Sequence, residues 1–449
     1  MLGTTTNPEP MRSPYTRIAL LLTGCAYAAI TFAQMDYYIA SSFGSRFNDI
    51  NDNGVAVSGG AYFDFATEVW TPMETEATEM VSINNNGDVA GSMFLDEPNF
   101  ILQPGYKRDG VWNPIGWFPA SNPTESSFST FSISPNGVWV TGQMSIGCCA
   151  FGTFKYNTET GVLTEIFDPA YVAVAGYVIT NDGTIGGWAD DEGLGGGTRR
   201  IPVYITPDLE IIPVGTTLPQ FSTNAVNDIN ASSVMVGDFD NQPFIYDRGT
   251  DEFTTFDIPA GYLTATFTSV SNTGVAVGYA QQFGDFGSLL RDAIIYHPSL
   301  GSQPRFLREI LLINGLDINA PNDRMGTAIA ISPNGEYVAG WDDQSPFAAN
   351  GWVVYFDELL FETGTGITTN ENKVSNLSLF PNPAQDLLTL SSTEDVMMVS
   401  LYNAQGQRVA HHTLGSSSGV IDISALSIGV YTLRATTRAS SFVRNVVKE

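Results

Sequence analysis

Histidine and cysteine are nearly missing from this chain, with three of each in 449 residues. Cys25 lies in an apolar leader, so only the neighbours Cys148 and Cys149 remain downstream, and His297 is the one histidine before His411 and His412. Such a stock assembles neither a Cys/His zinc site nor a disulfide framework. It also leaves nucleophilic devices of the Ser-His-Asp or Cys-His kind almost without a base. Two readings of Cys148-Cys149 stay open: a vicinal disulfide beside a ligand, or a reduced pair on a β edge.

Basic residues are scarce as well: 19 Lys and Arg stand against 47 Asp and Glu, for a net charge of −28. The shortage is local. Residues 374–449 hold five acids and five bases, so the negative charge belongs to the middle of the chain. Such a surface repels nucleic acid and anionic lipid and attracts cations or basic partners; the plainer reading is solubility in a salty exterior. Beyond the leader no stretch approaches the ~18 apolar residues of a membrane span. A sustained 3.6-residue period is also absent, apart from a short turn near 307–313.

The leader has Arg12 and Arg17 before an apolar run at 18–33, with Thr31, Phe32 and Ala33 at its end. A positive start, a short apolar stretch and small residues at the recognition positions describe a secretory signal peptide over 1–33, cleaved after Ala33, with Met11 an alternative start. The rival reading takes Leu22-Thr23-Gly24-Cys25 as a lipoprotein box, which would put lipid on Cys25.

What the chain has in quantity is a repeat. One phrase recurs seven times: a short apolar strand, an Asn/Asp-rich turn with Gly, then a β-branched strand ending in Gly or Ser. NDINDNGVAVSG from Asn48, FSISPNGVWVTG from Phe131 and IAISPNGEYVAGW from Ile329 are three copies. Gly54, Gly87, Gly137, Gly183, Gly274 and Gly335 mark six of the turns; in the fifth copy Ser232 and Ser233 stand where Gly would be. Asn-Gly and Asp-Gly supply the positive φ of a tight hairpin, and a second pair of strands usually follows. Two hairpins make a four-stranded unit of ~40–50 residues, the size of a propeller blade. The expected fold is therefore all-β: a seven-bladed β-propeller over 36–360, then a linker at 361–373 and a small domain at 374–449. The repeat phrase is similar to the HAF-type repeats of extracellular bacterial proteins, which implies a propeller; a two-sheet sandwich array is the alternative. If the blades close by strand sharing, 36–40 should pair with residues near 353–356 of the last copy.

The tail has other punctuation: FPNPAQDLLTL with Pro381, Asn382 and Pro383, then LYNAQGQRV with Gly406, then IDISALSIGVYTLR with Gly429 and Tyr431, and a basic-apolar final strand. In this order, ending at the chain terminus, these motifs resemble the C-terminal sorting domain of type IX secretion cargo. The resemblance implies a small Ig-like β-sandwich, passage through the periplasm and outer membrane, and secretion or attachment at the surface, with the secretion machinery as partner. One departure is that the final strand carries Arg444 and Lys448 singly, not as a basic pair.

Acids recur in the connection after six of the seven repeat phrases, all but the third. Asp64, Asp96, Glu97 and Asp285 belong to three copies; Asp190, Asp191 and Glu192, Asp238 and Asp240, and Asp342 and Asp343 belong to three others. In a propeller the connection between second and third strands opens on the face where ligands enter. Carboxylates gathered there would form a calcium site or a funnel for a cationic ligand; as turn formers they are merely solvated. His297 parallels Asn157 and Asp247 and reads as a turn residue. Tryptophans such as Trp188 and Trp341 either pack between blades or stack on sugars. The functional expectation is a non-enzymatic binding or adhesion module, with a glycan or protein ligand and no cofactor beyond calcium. The alternative is a carbohydrate-active propeller enzyme using carboxylates, and a third class is a passive structural component with no defined pocket.

Overall fold

A computed structural model describes residues 35–40, 46–94, 102–116, 126–146, 150–191, 199–215, 224–284, 289–313, 316, 325–345, 348–356, 378–403, 408–437 and 441–449. The leader, Cys148-Cys149 and the linker lie outside them, as do Asp96, Glu97, Glu192, Asp285 and Gly406. The chain divides into two compact units, one formed by 1–308 with 319–361 and the other by 309–318 with 362–449.

The first unit is a seven-bladed propeller. Blades 1 to 6 span residues 47–72, 77–114, 126–166, 173–213, 225–255 and 264–306, each a four-stranded antiparallel meander whose first strand is innermost. Blades 3 and 4 are joined into one sheet by a parallel bridge between Phe151 and Ala173. The seventh blade has three strands of its own, Thr327–Ile331, Tyr337–Ser345 and Ala348–Phe356. Its fourth is Met35–Ala40 from the other end of the sequence, with Tyr37 opposite Val354 and Ile39 opposite Trp352. Each inner strand touches the next around the ring, and blade 7 returns to blade 1.

Turn chemistry accounts for the hairpins. The six phrase glycines have φ between +72° and +86°, and in the fifth copy Ser233 takes φ +64° in the same role. The first turn residue also staples blades together. Asn51 accepts from the amides of Asn53 and Val55 with Oδ1, both at 3.0 Å, and donates from Nδ2 to Asn84 O of the next blade at 3.0 Å. Asn84 and Asn230 repeat the arrangement toward Ser134 O and Ser271 O. Asn334 N donates to Asp52 Oδ1 at 2.7 Å, carrying the chain of turns from blade 7 to blade 1. Between those blades Phe47, Ile50 and Phe63 pack with Ala339 and Val353 in a buried cluster, each large side chain contributing about 1.5–3 kcal/mol by burial.

The second unit is a β-sandwich-like domain. Its long strand Leu387–Tyr402 pairs with Arg408–Asp422 along one side and changes partner along the other, from Ser378–Phe380 to Gly429–Thr437. That switch folds the sheet over a core of Leu388, Leu390, Val399, Ile421, Leu433 and Val446.

Candidate functional site: the propeller channel

The inner strand of every blade departs from regular pairing at an equivalent point, and that of blade 2 does so a second time, between Ala77 and Glu79. The shift falls between Phe47 and Asp49, Met80 and Ser82, Thr130 and Ser132, and Gly176 and Val178 in the first four blades. It recurs between Val226 and Asp228, Phe267 and Ser269, and Ala328 and Ala330. A bulge adds one unpaired residue and bends the strand, re-aiming a side chain. As a result two consecutive residues of each blade border the central channel, where regular alternation would admit one. Opposite the bulge the backbones approach so closely that a Cβ on Gly142, Gly187, Gly237, Gly278 or Gly340 would fall on the inner strand's carbonyl oxygen. This explains the glycine that ends the repeat phrase.

The second residue of each pair forms a waist. Ser82 Oγ, Ser132 Oγ and Ser269 Oγ accept from the next blade's backbone, at Ile133 N (3.5 Å), Ile179 N (3.3 Å) and Ile331 N (3.2 Å). Val178 and Ala330 cannot accept. In both cases the following blade supplies an aspartate that does two jobs. Asp49 takes its own neighbour Ile50 N on Oδ1 at 2.8 Å and Ile83 N on Oδ2 at 2.9 Å. Asp228 takes Ile229 N at 2.8 Å and Val270 N at 2.8 Å in the same way. Burial pushes Asp49 up to about 6, against the pull of those hydrogen bonds, and moves Asp228 in the same direction.

The waist separates two cavities. The one on the side of the Asn-Gly turns measures about 460 Å³. The other, on the side of the second-to-third-strand connections, measures about 660 Å³, ample for a small ligand. Its wall is rich in amides and hydroxyls, among them Asn48, Asn227, Gln281, Thr264 and Thr268, with Phe131 and Tyr177 edge to face at 5.6 Å. Asp238 lies in this wall, accepting from Thr266 Oγ1 at 3.3 Å; burial pushes it up to about 7, with Thr266, Asn227 and Arg200 opposing. Thr327, also in the wall, is almost fully buried, and its hydroxyl has no partner among the described residues.

Those acids singled out from the sequence that are described lie at different places in their blades. Asp240 and Asn241 have φ +53° and +69° and form the two-residue turn of blade 5, with Asp240 N held by Asn224 Oδ1 at 2.7 Å. Asp190 and Asp342 are buried on second strands, opposite Arg200 and Asn350. Asp191 and Asp343 are placed in the same strands, their side chains outside the described set. Asp64 is a correction: the second-to-third connection of blade 1 is Gly59-Gly60, so Asp64 falls on the third strand instead. Among the described residues no three His, Cys, Asp or Glu side chains gather where they could hold a metal ion. His297 is a turn residue: its Nδ1 accepts from Ser299 N at 3.2 Å, as Asn157 and Asp247 cap their own turns.

Sequence reasoning passed over the cations of this mouth. Arg200 stacks 4.1 Å above the Trp188 ring and Arg291 4.4 Å above Tyr279, while Arg46 lies 4.5 Å from Trp341. Aligning the repeats on the closing glycines Gly187, Gly278 and Gly340 places the three aromatics at one position, which was the signal available.

In the second unit, Asn382 Oδ1 accepts from Val447 N at 2.9 Å, and Ala384 exchanges backbone bonds with Val447 and Glu449. Pro381 and Pro383, on either side of Asn382, are exposed. Tyr431 is buried and donates to Ser427 O at 2.7 Å, while Gly429 begins the strand opposite Lys448. The Pro-Asn-Pro-Ala motif is thus a joint to the last strand, and Tyr431 braces the turn ahead of its own strand. Residues 378–449 match the family described as the secretion system C-terminal sorting domain. This chain is type IX secretion cargo. The cargo protein is exported to the cell surface or secreted, and no helix among its described residues is long and apolar enough to cross a membrane.

No curated protein matches the sequence. Among solved structures, PorZ from Porphyromonas gingivalis, a surface component of its type IX secretion system, is similar over 92% of this chain at 11% identity and a TM-score of 0.42. The cargo protein spans 58% of PorZ. Dipeptidyl peptidase 4 from the same organism is similar at 9% identity, covering 79% of this chain and 65% of its own, with a TM-score of 0.38. TolB from Acinetobacter baumannii is similar at 12% identity, covering 58% and 60%, with a TM-score of 0.35.

Proposed function

We propose that the cargo protein is a non-enzymatic glycan-binding protein of the cell exterior, with the 660 Å³ vestibule of the propeller as its binding site. The observation that carries this reading is the set of seven bulges, which bring two consecutive side chains per blade to the channel. A wall of amides, hydroxyls and aromatic edges offers a hydroxyl-rich ligand both donors and acceptors. A passive surface component has no need of such a wall.

The test is a glycan array with the full chain, beside a variant that fills the vestibule from its rim, Thr264→Trp. Binding to a defined set of sugars, lost at least ten-fold in the variant at an unchanged melting temperature, is the expected result. An array without any sugar ligand, or one indifferent to the filled vestibule, ends the proposal. A second reading rests on Asp238, whose carboxyl near 7 suits a proton donor in glycoside chemistry. Release of reducing ends from a bound glycan, abolished by Asp238→Asn while binding persists, favours that enzyme.

A further inference from the structure

Two of the three arginine–aromatic contacts, those of blades 4 and 6, share one construction. In blade 4 the aromatic follows the bulge-opposed Gly187, and two residues further on Asp190 has Arg200 as its cross-strand partner. In blade 6 the same steps lead from Gly278 through Tyr279 and Gln281 to Arg291. Both guanidiniums therefore reach diagonally back over the ring of their own blade, a spacing long side chains span easily. Blade 7 has Trp341 at the same position but Ala349 opposite Asp343, and the cation comes instead from Arg46, just ahead of blade 1. Arg291 also lies 5.6 Å from Trp341, so two guanidiniums approach that indole.

This placement runs against the charge of the molecule. The span 36–360 holds eleven Lys and Arg, and three of them lie over aromatic rings of blades 4, 6 and 7. A guanidinium lying on a ring covers the face that a sugar would stack on. It keeps its donor edge in its own plane, where the fork fits the two oxygens of an acidic group. Arg291 is held in register by its Nε, which donates to Gln281 Oε1 at 3.0 Å. The waist carboxylates Asp49 and Asp228 are occupied by backbone amides on both oxygens. Asp238, between blades 4 and 6, is held near 7 by burial and meets an incoming anion partly as a neutral hydrogen-bond donor.

We propose that the vestibule selects glycans carrying an acidic group, carboxylate or sulfate, which the aromatic-backed guanidiniums of Arg200 and Arg291 bind while the amides and hydroxyls of the wall take the sugar hydroxyls. This rests on the glycan reading above and names its ligand class. The experiment titrates the full chain calorimetrically with paired oligosaccharides that differ only in the acid: oligogalacturonate against its methyl ester, and a sulfated galactan oligomer against its desulfated form. Poly-glutamate serves as an acid without sugar. The expected result is at least ten-fold tighter binding of one acidic member than of its neutral partner; which pair shows it separates carboxylate from sulfate. Arg200→Gln and Arg291→Gln should each weaken the acidic ligand by about 10- to 100-fold, the worth of one charged hydrogen bond, with the neutral partner unmoved. Arg291→Lys, which keeps charge but not the planar fork, should recover part of the loss and guards against a folding artefact. Equal affinity within both pairs, or arginine variants that bind as the parent does, overturns the acid preference while leaving glycan binding intact. Poly-glutamate bound as tightly as the glycan overturns the sugar half. Binding of none of the oligosaccharides sinks this proposal and, if the array is blank too, the glycan reading with it.

Discussion

Residue by residue, the waist shows how degenerate repeats remain equivalent in hydrogen bonding. Seven inner strands have to satisfy the amide that follows each waist position, and a serine from the preceding blade satisfies one. Where Val178 and Ala330 contribute nothing, Asp228 and Asp49 each serve two amides with two oxygens. The apolar residue and the aspartate after it are thus one compensated change spread over two blades. Removing Asp49 leaves the amides of Ile50 and Ile83 without that acceptor, whereas removing the Ser82 hydroxyl takes the acceptor from one amide, Ile133 at 3.5 Å, and a hydrogen bond from the Asp49 carboxylate. Asp49→Ala should therefore cost about 2–6 kcal/mol, taking ~1–3 kcal/mol for each of two buried amides left unsatisfied, and Ser82→Ala about 1 kcal/mol, the low end for a single amide whose bond is already long. Urea unfolding of the two variants checks the ratio; equal losses would show that the waist bonds do not carry the stability assigned to them.

At the scale of the element, hairpins were legible in the sequence and bulges were not. A tight turn advertises itself through Asn-Gly and Asp-Gly, because positive φ is costly for other residues; even the exception, Ser233, kept its place in the phrase. A bulge leaves no such mark, since Asn48, Val81, Phe131 and Tyr177 share no chemistry while occupying the same extra position. The channel wall follows from that unmarked residue, so the site stayed hidden. The arginines were hidden by the opposite bias: a net charge of −28 directs attention to acids and to cationic partners. Phase counting, by contrast, located the closing strand. A proline at Ile39, the residue opposite Trp352, removes a ladder hydrogen bond or crowds the partner strand, according to which way its N–H faces. Ile39→Pro should lower stability by roughly 3 kcal/mol by analogy with proline in helix interiors, seen as a fall in the thermal midpoint of the full chain. An unchanged midpoint would mean that the ring does not depend on this strand for closure.

On the scale of the whole molecule, two units divide the work. The propeller portion holds the acidic excess, the channel and its arginines; the tail from 374 holds five acids and five bases and a core of its own. Its motifs build internal joints: Asn382 with Val447, Ala384 with the last strand, Tyr431 with Ser427. Two of these bonds tie the segment after the first strand to the last strand, so the two ends of the domain are held together. An address written this way is lost as a unit. Deleting 378–449 should leave the propeller folded, because among the described residues every blade is built of strands within 35–356. With the leader acting as a signal peptide, the truncated chain should cross the inner membrane and stop. The measurement is fractionation of producing cells: truncated chain in the periplasm, absent from surface and medium, and resistant to a protease that digests unfolded protein. Normal amounts of truncated chain outside the cell would show that the address lies elsewhere. Truncated chain that is degraded everywhere would show that the propeller depends on the tail to fold.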